Sequence, residues 1–180
     1  MRKVAYTLFT LVCLIQCSEF EVIDGIQFRQ YADSVIDFSS QYSSGNWSAN
    51  RALGKENVYP NYGDIPNAWA SQYADTKREY LVLGIDTLQT IRIIEIYETL
   101  NPGAVDTVYI RNANTQTWER IYSKPTITNL PTVARKFTIF MALETTYMVD
   151  AIRIAINSPE VPGWNEIDAV ALTGQRSKQE

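Results

Sequence analysis

The stretch Ile91–Arg111, IRIIEIYETLNPGAVDTVYIR, decides how this chain folds. Two runs dense in β-branched and aromatic residues, 91–97 and 105–111, flank Asn101-Pro102-Gly103. Proline pre-sets φ at the second position of a turn, and glycine takes the positive φ that a type II turn asks of the third. The pattern reads as strand, sharp reversal and strand. No other part of the chain is so hydrophobic between such clear turn signals, so the pair is expected at the centre of an antiparallel sheet.

Strand-like runs continue on both sides, at 80–85, 117–122, 135–141, 149–157 and 166–173. In Ala151–Ile156 the isoleucines 152, 154 and 156 alternate with Ala151, Arg153 and Ala155, which places one face inward. Seven such runs with short turns and no helical period describe an all-β antiparallel sandwich. Residues 31–42 open the domain, with Val35, Ile36 and Phe38 as core candidates, and 47–53 reads as a helical turn capped by Ser or Asn. Residues 55–74, punctuated by Pro60, Gly63 and Pro66, form a long irregular region of the kind that carries function or seals a core.

At 180 residues, with 46% hydrophobic and 20% charged, the chain suits one domain with a real core. A formal net charge of −4 opposes nucleic-acid binding, which needs a basic face. The sequence has no histidine, so a histidine triad, zinc site or general base is excluded.

Met1-Arg2-Lys3 followed by the apolar run 4–15 has the layout of a signal peptide, and the chain is expected to be secreted or displayed at the cell surface. Cleavage after Cys17 would remove both cysteines, Cys13 and Cys17, together with Arg2 and Lys3, shifting the formal charge from −4 to −4 − 2 = −6. Leu14-Ile15-Gln16-Cys17 also resembles a bacterial lipobox, although Gln16 replaces the usual small residue. Acylation of Cys17 would make a lipid anchor the chain's one membrane contact. The expected organisation is a signal at 1–17, a linker or edge strand at 18–30, the sandwich at 31–174 and a tail at 175–180. Asn46-Trp47-Ser48 is an N-glycosylation sequon, relevant in a eukaryotic secretory host.

If consecutive strands alternate in direction, the loops before 80 and at 98–104, 123–134 and 158–165 emerge at one pole. That pole gathers Tyr59, Tyr62, Asp64, Trp69, Glu98, Asn157 and Trp164, the candidate ligand-binding residues. The alternative for the aromatics is to close the end of the core, and Trp69, which directly precedes a strand, favours it. The alternative for the carboxylates is to accept hydrogen bonds from loop N–H groups.

The blocks FSSQYSS (38–44), WSANRALG (47–54), YPNYGDI (59–65), AWAS (68–71), REYLVLG (78–84), IYETLNPGAV (96–105) and NSPEVPGWNEIDAVAL (157–172) resemble the scarf domain of pappalysin metalloproteases and its bacterial relatives. A more distant likeness is to the discoidin-like N-terminal domain of a mitochondrial F-box and leucine-rich-repeat protein. The resemblance implies a galactose-binding-like jelly roll related to discoidin or type C modules, which bind sugars, lipids or proteins at one end. It does not imply peptidase activity, because the pappalysin zinc motif needs histidines. It also implies a structural calcium, with Glu166 and the region 50–57 as the places to look; calcium takes six to eight oxygens.

The expected function is a non-enzymatic recognition or adhesion module for a glycan or an extracellular protein. The alternatives are a structural domain that positions or oligomerises a partner, and a glycosidase using Glu98 and Glu166.

Overall fold

Nine strands follow in order: β1 (Gln27–Tyr31), β2 (Ser34–Phe38), β3 (Glu79–Gln89), β4 (Ile93–Leu100), β5 (Val105–Asn112), β6 (Trp118–Ser123), β7 (Arg135–Phe140), β8 (Val149–Ile156) and β9 (Glu166–Gln175). They come from a computed structural model that describes residues 27–176. The signal segment, Cys13, Cys17 and the first part of the 18–30 segment lie outside the described residues. Among the described residues no helix is long and apolar enough to cross a membrane.

One sheet has the order β1-β9-β4-β7 and the other β2-β3-β8-β5-β6, and every pairing is antiparallel. The core between them is built by period-two alternation. Ile94 and Ile96 of β4, with Val170 and Leu172 of β9, face Leu81 and Leu83 of β3, Ile152, Ile154 and Ile156 of β8, and Val108 and Ile110 of β5; all are buried. Each fully buried isoleucine or leucine contributes roughly 1.5–3 kcal/mol relative to exposure.

The hairpin expected around 101–103 is corrected by the structure. β4 pairs with β9 and β7 while β5 pairs with β8 and β6, so the two strands lie in opposite sheets. Each is interior to its own sheet. The turn is an arch between layers: Asn101 (φ 41°) and Gly103 (φ 110°) both take positive φ, and a Cβ on Gly103 would stand 2.2 Å from the Ile127 carbonyl oxygen. Turn chemistry reports the reversal but not the partner, because both strands carry an apolar face that either arrangement would bury.

Ile36 and Phe38 depart from the core expectation. β2 is an edge strand with a bulge between Val35 and Asp37, and both side chains are exposed, while Val35 packs on the core. The expected helical turn is a short 3-10 turn, Ala49–Ala52.

Backbone hydrogen bonds gather the loops at two poles. At one, Gly63 N donates to Thr99 O, Ile127 N to Gly103 O and Asn157 N to Ala104 O. At the other, Thr90 N donates to Gln175 O, Thr145 N to Ile91 O and Ala113 N to Met148 O.

Candidate functional site

The loop 41–48 crosses the first pole, and its Trp47 has φ 52°, an uncommon backbone state for a bulky side chain. Three bonds hold it there. Trp47 N donates to Pro66 O, Trp47 O accepts from Ala70 N, and the indole Nε1 donates to Glu166 Oε1 at 3.0 Å. Such over-determined strain is a mark of functional sites.

Trp47 forms one wall of a small open cup of about 60 Å³ lined by Tyr42, Trp47, Asp64, Ala70, Trp164 and Glu166. Tyr42 meets Trp47 at a centroid distance of 5.2 Å and an interplanar angle of 68°, and Trp164 at 5.9 Å and 83°. Trp164 is fixed by its Nε1, which donates to Ser71 O, and by Asn101 Nδ2, which donates to Trp164 O. Asn101 Oδ1 in turn accepts from the Tyr62 hydroxyl at 3.0 Å.

The floor is acidic. Glu166, at the start of β9, is 1% exposed; Oε1 accepts from Trp47 and Oε2 from Ile65 N at 3.4 Å. Burial, with the Asp64 carboxyl beside it in the cup lining, pushes the Glu166 carboxyl up to about 8. Asp64 itself is exposed at the lip.

Of the residues expected to bind a ligand, the cup therefore brings together Asp64 and Trp164, with Tyr62 bracing the latter. The others go elsewhere. Trp69 is 0% exposed, its indole donating to Ser40 O and its backbone bridging Ile167, so it seals the core and cannot face a ligand. Glu98 is also corrected: it lies buried under the arch, accepting from Gly103 N at 2.8 Å with Arg135 at 3.4 Å, and burial pushes its carboxyl up. Tyr59 packs edge-on against Tyr97 in a separate cluster with Tyr31, Ala169 and Ala171. Asn157 follows β8, heading the short 3-10 turn Ser158–Glu160, and does not line the cup. Asn46 is exposed beside Trp47, where a glycan would stand at the cup's edge.

Tyr42 and Trp47 are the site residues that sequence reasoning missed. Their signal was two aromatics in a Ser- and Gly-rich segment with no strand alternation to bury them.

Glu166 does not fit a calcium site. The Asp168 carboxylate is taken up by three backbone N–H groups, and among the described residues no three acidic side chains gather at one point. Calcium's six to eight oxygens are not assembled there. Thermal melts in excess calcium and in chelator are expected to coincide; separation by several degrees would restore the metal.

The profile of the family described as "Pappalysin-1, SD scarf domain, C-terminal" matches residues 21–180. F-box/LRR-repeat protein 4 of Bos taurus is 28% identical over 181 residues, 83% of this chain; the chain spans 29% of that relative's length. Among solved structures, reduced XRCC1 bound to the DNA polymerase β catalytic domain is similar at TM-score 0.61 and 15% identity, covering 81% of this chain and 97% of that one. The family 32 carbohydrate-binding module of C. perfringens NanJ, in complex with galactose, is similar at TM-score 0.56 and 14% identity, covering 81% and 99%. These likenesses show the fold, a galactose-binding-like jelly roll.

Proposed function

This chain belongs to the pappalysin-1 SD scarf domain, C-terminal, family, and on that premise we propose that it is a non-enzymatic recognition domain, working outside the cell, that takes its ligand in the Tyr42–Trp47–Trp164 cup. The observation that carries this reading is the cup itself: three aromatic rings, that of Trp47 on a strained backbone, kept at the surface around two carboxyl groups. A core does not need them there, since Trp69 already closes this end. A glycan is the first ligand class to test, in keeping with the galactose named for the carbohydrate-binding module of the same fold.

The glycosidase alternative loses its pair. Glu98 is sealed under the arch, accepting from Gly103 N, and does not line the cup that Glu166 lines. Glycosidase carboxyls stand roughly 5–9.5 Å apart to admit the scissile bond.

The structural alternative has its own observation, the inward packing of Trp69 and Glu98. A glycan screen of the exported chain separates the two. Saturable binding that weakens at least about tenfold, or about 1.4 kcal/mol, in Tyr42→Ala supports recognition at the cup. Tyr42 is 51% exposed, so its loss leaves the fold intact. Binding indifferent to Tyr42→Ala and Trp47→Ala would move recognition elsewhere, and no glycan binding by a folded chain would remove glycans as the ligand class.

A further inference from the structure

We propose that the cup is built for an alkylammonium group, a lysine side chain of a protein partner, with its carbon stem against Tyr42, Trp47 and Trp164 and its charge on Asp64 and Glu166. This rests on the recognition reading above and names the ligand chemistry it leaves open.

Three observations carry it. The first is ring geometry. Tyr42 stands edge-to-face to both tryptophans, at 68° and 83°, so the rings form a box and not the flat platform on which a pyranose face stacks. Boxes of aromatic faces attract cations. The second is charge. Several carboxylates at or near the surface have basic partners: Glu95 has Arg29 and Lys136, Asp106 has Arg78, and Asp150 has Arg111. Among the described residues Asp64 and Glu166 have no ion-pair partner, and no Lys or Arg lines the cup. Two neighbouring carboxyls in one cup disfavour joint ionisation until a cation joins them. The third is size: the cup, about 60 Å³ and open to solvent, admits the slim end of a lysine. The chain's formal charge of −4 adds a long-range attraction for a basic partner.

The sign of the pH dependence follows. The titratable groups facing Glu166 are Asp64 and, across the cup, Tyr42. With Glu166 raised to about 8, the free pair holds a proton at neutral pH, and an arriving ammonium releases it to solvent. Affinity therefore rises between pH 6 and pH 8.5 and falls when lysine itself deprotonates, near pH 10.4.

The test titrates the whole exported chain, by tryptophan fluorescence, with four probes: an end-blocked trilysine peptide, its Nε-acetylated form, a glucosamine trimer and galactose. Saturable trilysine binding is expected, at least tenfold weaker after acetylation and at least tenfold weaker in Glu166→Gln, which also flattens the pH rise. Asp64→Asn, at the exposed lip, is the second variant and keeps the test sharp if Glu166→Gln misfolds. Trilysine binding unmoved by acetylation or by both variants overturns the assignment, as does binding of the glucosamine trimer without trilysine. Binding of galactose alone, lost in Tyr42→Ala, overturns the ammonium assignment and leaves the recognition reading standing. A folded chain that binds none of the four overturns both.

Discussion

Replacing Asp168 with alanine is expected to destabilise the fold by about 4 kcal/mol. Asp168 is 0% exposed, and its carboxylate accepts from three successive backbone N–H groups: Asn57 at 3.2 Å, Val58 at 3.1 Å and Tyr59 at 2.9 Å. It can do so because β9 bulges there. Tyr97 pairs with Ala169 and Glu98 with Ile167, which leaves Asp168 without a partner in β4 and free to meet the loop. Alanine leaves the donors without acceptors, each costing about 1–3 kcal/mol where water is excluded. The loop leading to Tyr62 and Asp64 would then lose its anchor. Asp168→Asn keeps one acceptor but turns an amide donor toward the same N–H groups, so about half that loss is expected. Urea unfolding with an unchanged slope reads the shift directly; a loss below about 1 kcal/mol would show that the loop is held by other contacts.

Trp69→Ala should cost about 4 kcal/mol, within the range for truncating a buried tryptophan. The ring is 0% exposed in the main core cluster, and its Nε1 donates to Ser40 O at 3.1 Å. Trp69→Phe refills most of the cavity and leaves only the Ser40 carbonyl unpaired, so about 1–2 kcal/mol is expected. The comparison discriminates between roles. A stability loss in both, with cup binding by the remaining folded Trp69→Phe protein unchanged, marks a seal. Unchanged stability with lost binding would return Trp69 to the ligand surface and contradict its burial.

The strands were legible because period-two alternation needs only neighbours in sequence: Ile152, Ile154 and Ile156 lie inward as the pattern says. The pairing of β4 was not legible, since Asn101-Pro102-Gly103 reverses the chain equally well within a sheet or between sheets. Ile36 and Phe38 misled for a related reason. Hydrophobicity says that a residue would gain from burial, but an edge position decides whether a neighbour covers it. At the site, residue type separated Trp164 from Trp69 only weakly, and the difference lies in what packs over each.

By itself the sequence determined an all-β sandwich, its seven main strands and the pole at which its richest loops gather, because alternation, turn residues and strand parity are local or arithmetical properties. Tertiary structure alone decided that Glu98 and Trp69 turn inward, that Asp168 anchors a loop 110 residues away, and that Tyr42, Trp47, Asp64, Trp164 and Glu166 share one cup. Those facts depend on which loop lies over which strand end, and that is fixed by long-range hydrogen bonds and packing that no short window of residues contains.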